Sequence, residues 1–281
     1  MKGYADMSED KRWQFELGEY IKQGEPEQIE KSDAWKTAIG LQAVDGLKTS
    51  AYLLDTAKAH IEGKISIDEA QKRIQTYYEE SGSRTEDEEE TREADIVSAR
   101  IAKILGEKTF QFSPAEWLAI HRHLFEGVFD YAGRVRKYNI TKKEWVLKGD
   151  TVLYAPWSSV KETLDYDFKT EKQFSYEGLS QAETVKHLVK FTADIWQIHP
   201  FCEGNTRATA VFIIKYMKKR RIKWGNIGVL AMFIICGLLV INDFIILATS
   251  TASLTYYGAI TLILALIVMS FCGEYLYEEM Q

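Results

Sequence analysis

Three times along this chain a serine stands three residues ahead of a glutamate, with a helical pattern behind it: Ser66 and Glu69, Ser113 and Glu116, Ser180 and Glu183. In such a box the hydroxyl accepts the third helical N–H while the carboxylate reaches back to the cap N–H, so two orphan donors are satisfied locally. Pro114 follows Ser113 at the first helical position, where its missing N–H costs nothing. Ile67, Ala70, Ile74 and Tyr77 share one helix face, and Val185, Leu188, Phe191, Ile195 and Trp196 can face a core. Gly46, Gly63 and Gly82 supply stop signals. The expected fold is therefore mainly α. Residues 34–80 read as helices, with Ser32 and Asp33 as N-caps of the first, and the helical pattern resumes at Ala94. The charged stretch Gly82–Glu93 between them reads as a solvated linker or a helix start. His121 and His123, two apart, point to different sides of a helix, which suits structural or surface roles better than joint metal binding.

One segment breaks the helical pattern. "EWVL", with Trp145, Val146 and Leu147, and "TVLYA", with Val152 and Leu153, flank Lys148-Gly149-Asp150 and predict a small β-hairpin.

The last quarter is apolar. Ile227–Ile241 carries no charge, Asn242-Asp243 follows, and Thr255–Gly273 is again uncharged. Each run approaches the roughly 20 residues that cross a bilayer. The polar "TSTAS" between them predicts a hairpin of two transmembrane helices. Lys215, Lys218, Lys219, Arg220, Arg221 and Lys223 precede the first run, and no Lys or Arg follows Lys223. The positive-inside rule then places the preceding chain and both termini on the cytoplasmic side of the membrane. The opening "MKGYADMSEDKRWQF" lacks the apolar core of a signal peptide. Cys202, Cys236 and Cys272 are widely spaced and odd in number, which argues against a disulfide framework or zinc site. A net charge of -6 argues against a nucleic-acid binder.

The densest chemistry is "HPFCEGNTRATA", His199–Ala210. His199 precedes a proline and belongs on a loop, where an imidazole can act as general base. Glu203 is a hard oxygen ligand suited to Mg²⁺. Gly204 and Asn205 tolerate the left-handed backbone that turns successive N–H groups toward an anion. A helix beginning near Thr206 adds positive potential, and Arg207 holds phosphate oxygens with a planar fork. Base, metal ligand, phosphate nest and arginine together describe a site that moves a nucleotide-derived group. No GxxxxGK[ST] occurs, so it is not a P-loop.

These residues resemble the signature of the Fic (filamentation induced by cAMP) family, His-Pro-Phe-x-(Asp/Glu)-Gly-Asn-Gly-Arg-x-x-Arg. Upstream, "ADIVSARIAKIL", "EWLAIHRHLFEGVFDYAGRVRKYNI" and the hairpin before "YAPW" are similar to the Fic core and its flap, so the resemblance covers about Ala94 to Lys218. The N-terminal helices are similar to the helical region of many bacterial Fic proteins and to an antitoxin-like inhibitory module. The division this implies is an N-terminal helical region over 1–82, an acidic linker over 83–93, a Fic domain over 94–223, and the membrane hairpin over 224–281.

The resemblance implies protein adenylyl transfer, in which ATP gives AMP to a Ser, Thr or Tyr hydroxyl of a target protein. It implies His199 as base, Glu203 as Mg²⁺ ligand, and Gly204, Asn205, Thr206 and Arg207 as the phosphate cradle. Phe201 is the structural anchor of the loop. The flap, with Trp145, Val146, Leu147, Val152 and Leu153, is expected to pair with an extended target segment. Partners are then ATP, that target and the lipid bilayer, without nucleic acid; self-association into a homo-oligomer is compatible with this reading.

Two departures alter the picture. Thr206 stands where the family has its third glycine, and Ala210 where it has its second arginine. That arginine grips the terminal phosphate and pairs with an inhibitory glutamate, and the inhibitory pattern is only approximated by Leu41–Gly46, with Asp45 in the glutamate position. The membrane run also begins soon after the motif helix. A non-catalytic or truncated nucleotide-binding module at the membrane is the alternative reading.

Overall fold

The computed structural model describes residues 9–80, 91–143 and 151–222. Within them the chain forms nine α-helices and a two-stranded antiparallel sheet, in accord with the mainly α expectation. The described residues fall into two compact units. One runs to Arg134 and resumes at Thr206; the other is Val135–Asn205.

The first unit begins with α1 (Glu9–Gln23), α2 (Pro26–Val44), α3 (Ala51–Ile61) and α4 (Ile67–Glu80), followed by α5 (Arg92–Gly106) and α6 (Pro114–Phe125). Ser66 and Ser113 accept the amides of Glu69 and Glu116, both at 3.1 Å, as their spacing predicts. Helix α2 differs from the expectation. It starts at Pro26, not beyond Ser32, because Pro26 occupies its first turn and the Gln28 side chain accepts the Glu25 amide at 3.1 Å. Ser32 is therefore mid-helix and buried, and its hydroxyl donates to the Leu17 carbonyl of α1 at 2.6 Å. Gly46 ends the segment as expected, at φ 78 where a Cβ would be strained.

Helices α1 and α2, α2 and α5, and α4 and α5 pack together. Trp35, Ile39 and Leu41 of α2 and Val97, Ile101 and Leu105 of α5 are buried, each contributing about 1.5–3 kcal/mol of burial. One polar knot sits in this core. Asp95 accepts from the Ser50 amide at 2.9 Å, from the Ser50 hydroxyl at 2.5 Å and from the Tyr78 phenol at 2.8 Å, joining the cap of α3 to α4 and α5. Burial nonetheless lifts the Asp95 carboxyl to about 6, against the pull of those donors. His121 is likewise structural: it is fully buried and its Nδ1 accepts the Gly133 amide at 2.9 Å.

Helix α9 (Asn205–Arg220), from Thr206 onward, completes the first unit. Val211, Phe212, Ile213, Ile214 and Tyr216 are all buried, and Phe212 and Tyr216 meet Phe110, Phe112 and Trp117 in an aromatic cluster. Three lysines of its basic end have an internal task. Lys215, itself buried, donates to the carbonyls of Ile104 (2.9 Å) and Glu107, Lys218 to Leu105 at 3.2 Å, and Lys219 to Phe110 at 3.0 Å. They satisfy carbonyls at and just beyond the end of α5, where cations also meet the negative end of its dipole.

The second unit holds β1 (Thr141–Lys143), β2 (Thr151–Leu153), α7 (Val160–Gln173) and α8 (Gln181–Ile198). The strands pair as Thr141↔Leu153, Lys142↔Val152 and Lys143↔Thr151. Helix α8 begins at the third serine box, here closed from both sides: the Glu183 amide donates to Ser180 Oγ at 3.3 Å, and the Ser180 amide to Glu183 Oε2 at 2.8 Å. Leu164 and Phe168 of α7 pack with Leu188, Phe191 and Ile195 of α8. Where the α7 stripe would next be apolar stands Glu171, buried and satisfied by the Tyr176 phenol at 2.5 Å and His187 at 2.6 Å.

Among the described residues no helix is long and apolar enough to cross a membrane. The expected membrane hairpin, residues 224–281, and the linker residues 83–90 lie outside the described residues.

Candidate active site

His199 closes α8 in the left-handed conformation, φ 49 and ψ 61, which is uncommon for a residue with a Cβ. Two bonds to one acceptor fix its ring. The Trp196 carbonyl takes the His199 amide at 3.2 Å and ring Nδ1 at 3.1 Å. A carbonyl only accepts, so Nδ1 carries the proton and Nε2 keeps the lone pair. The Tyr154 ring stacks on the imidazole with centroids 3.9 Å apart and planes at 16°, and Trp196 meets it edge-on at 5.7 Å.

The loop after His199 is tied to itself. Asn205 accepts the Phe201 amide and donates to the Phe201 carbonyl, both at 2.9 Å. Phe201 is fully buried. Gly204 has φ 74, the left-handed value that its glycine permits. Glu203 is exposed, with Oε1 3.4 Å from the Gly204 amide. Helix α9 begins at Asn205, one residue earlier than expected, and its first turn holds no acidic residue to oppose the positive end of the dipole. Thr206 is the second residue of that helix. A helical residue needs no glycine, so the departure at this position leaves the backbone path intact.

Arg207, in the first unit, is only 1 % exposed. Its Nε lies 2.7 Å from Asp45 Oδ2, its NH1 2.8 Å from Glu93 Oε1 and 3.0 Å from the Gln42 side-chain oxygen. The guanidinium also lies 4.8 Å from the Phe125 ring centre. The Nε contact is Coulombic rather than directional, since that N–H aligns with no acceptor in a hydrogen bond. Asp45 thus meets the arginine of the motif. Glu93, the end of the supposed solvated run, meets it too. Ala210, where the family pattern has its second arginine, is buried.

Of the flap residues, Trp145, Val146 and Leu147 lie outside the described residues, and Val152 and Leu153 are on β2. Sequence reasoning missed Tyr154, Gln42, Glu93 and above all Arg136. Arg136 is 2 % exposed and donates to four backbone carbonyls, His199 (Nε, 2.7 Å), Tyr138 (NH1, 2.8 Å), Ile198 (NH2, 3.2 Å) and Ala155 (NH2). Its position in "GRVRKYNI" carries no spacing signal that would mark it. Nearby, the exposed Tyr138 phenol donates to Cys202 Sγ at 3.2 Å, a bond that raises its pKa above the ordinary tyrosine value.

Residues 111–217 match the model of the Fic/DOC family. That stretch runs from ahead of α6 into the last turn of α9 and includes every residue of the 199–210 motif. Over that stretch the chain is similar to a Fic/DOC family domain.

Proposed function

We propose that the chain is a protein adenylyltransferase that moves AMP from ATP to a Ser, Thr or Tyr hydroxyl of a target protein. The observation that carries this reading is the state of His199. With Nδ1 held by the Trp196 carbonyl, Nε2 is the proton acceptor, and the loop that follows leads directly into the N-terminus of α9. In the reaction the target hydroxyl loses its proton to His199 Nε2 as its oxygen bonds the α-phosphorus. The bond from that phosphorus to the α,β-bridging oxygen breaks, and pyrophosphate leaves. The amides of Gly204, Asn205 and Thr206 and the dipole of α9 stabilise the phosphate oxygens.

Glu203 is the residue that would hold Mg²⁺. Among the described residues no group of three His, Cys, Asp or Glu is gathered for a metal. One exposed carboxylate fits an ion whose other ligands are phosphate oxygens and water. When bound, the ion supplies charge neutralisation on the α- and β-phosphates. The β1–β2 ladder docks an extended target segment. Residues 224–281 tether the domain to the bacterial inner membrane as a two-helix hairpin, with the domain and both termini cytoplasmic.

A second reading is favoured by one observation. Arg207 is sequestered by Asp45 and Glu93, and Ala210 supplies no replacement, which suits a module that binds nucleotide without turning it over. Incubation of the full chain with Mg²⁺, lysate and either α- or γ-labelled ATP separates the two. Label passing to protein from the α position alone supports transfer; ATP binding with no label passed supports the second reading and refutes the first.

A further inference from the structure

We infer that Arg136 is the positioning residue of the His199 base. The inference rests on the adenylyl-transfer reading for its kinetic consequence, not for its geometry. Ile198 ends α8 and His199 caps it, so their carbonyls belong to the set that a helix leaves without intrahelical partners. The Arg136 guanidinium takes both, Nε to His199 and NH2 to Ile198, while the Arg136 amide donates to the Pro200 carbonyl at 2.8 Å. Three successive carbonyls of the base-bearing turn are thus held by one residue.

Burial depresses the Arg136 pKa, and among the described residues no carboxylate pairs with it. The negative end of the α8 dipole takes that place, as it does for a cation at any helix C-terminus. The same guanidinium reaches the carbonyls of Tyr138 and Ala155. Ala155 adjoins Tyr154, whose ring covers the imidazole at 3.9 Å. Arg136 therefore sets two things together: the left-handed turn that aims Nδ1 at the Trp196 carbonyl, and the strand end that brings the stacking ring. A left-handed residue with a Cβ lies roughly 1–3 kcal/mol above its ordinary conformations and persists where its surroundings over-determine it. A lysine keeps the charge but carries its three donors on one nitrogen, without the planar fork that reaches four separate carbonyls here.

The test is Arg136→Lys in full-length protein with ¹⁵N-labelled histidine. In the wild type His199 is expected as the Nδ1–H tautomer. In R136K its ¹⁵N shifts should move toward a mixture of tautomers, while His60, His121 and His187 stay unmoved. The rate kcat of AMP transfer should fall about 10²-fold, the usual cost of misplacing a catalytic group by about 1 Å, with KM for ATP unchanged. A folded R136K protein whose His199 signals match the wild type overturns the inference. Where R136K does not fold, hydrogen exchange at Arg136 Nε in the wild type decides: protection like that of the α8 amides upholds the clamp, and exchange at the solvent rate overturns it. A tautomer shift in a chain whose wild type transfers no AMP leaves the clamp standing and removes the transferase reading instead.

Discussion

The double substitution Asp45→Asn with Glu93→Gln isolates the charge balance around Arg207. The Arg207 side chain is 2 % exposed, against 20 % for Asp45 and 29 % for Glu93. Neutralising both acids leaves a buried guanidinium with the neutral Gln42 oxygen at 3.0 Å and the Phe125 ring for company. An uncompensated buried charge costs about 3–5 kcal/mol. At about 2–4 °C per kcal/mol, the melting temperature of a domain of about 150–250 residues should fall by about 6–20 °C. Arg207→Met removes the buried charge instead and leaves two carboxylates that already reach water. Its loss should be smaller than that of the double variant, because the carboxylates it leaves unpaired keep contact with water. The triple variant should resemble Arg207→Met, not the double. Thermal melts followed by circular dichroism at fixed salt read all four proteins. A double variant as stable as the wild type, or an Arg207→Met protein less stable than the double, would refute the view that the acids exist here to hold this arginine.

Asp95 gives a pH signature. Its folded value of about 6 lies above the ordinary carboxylate value of about 3.9, so folding takes up a proton between them. The stability it contributes is complete below about pH 4 and is lost as pH rises through about 6. The stability of wild type relative to Asp95→Asn should therefore fall by roughly 2 kcal/mol from pH 4 to 7, read by urea melts; a flat difference would contradict it. Lys215→Met should cost about 1–3 kcal/mol by leaving the carbonyls of Ile104 and Glu107 without their donor, and amide exchange should quicken in the last turn of α5. Removal of residues 224–281 should release the protein from membrane fractions with transfer retained; a truncated chain that still floats with vesicles would place the anchor elsewhere.

The local features of this fold are written in neighbouring residues and were legible. Serine boxes, Pro114 and Gly46 act within one helical turn, and all three boxes stand at helix starts. Helix α1 and the start of α2 were hidden because their sequence is charged. The signals there, Gly24 and the Glu25-Pro26-x-Gln28 start, are weaker than a serine box. Helix α7 was obscured by Glu171 standing in the apolar stripe, a position made tolerable by Tyr176 and His187. The local shape of the motif was legible because loop, glycine and helix start follow one another in the chain. Their supports could not. Arg136 lies 63 residues from His199, and Lys215 lies 111 from Ile104. Cations that cap a distant helix end leave no periodicity to read. The same holds for Arg207, whose partners Gln42, Asp45 and Glu93 come from two other helices and the turn after one of them.

The central claim is that His199 Nε2 takes the proton of a target hydroxyl as AMP is transferred. Its most direct test is mass spectrometry of protein from lysate treated with ATP and Mg²⁺ and either the full chain or its His199→Ala variant. The transferase proposal predicts peptides carrying an added AMP, less water, on a Ser, Thr or Tyr with the wild type, and none with a folded His199→Ala protein. Equal modification by the two would contradict it.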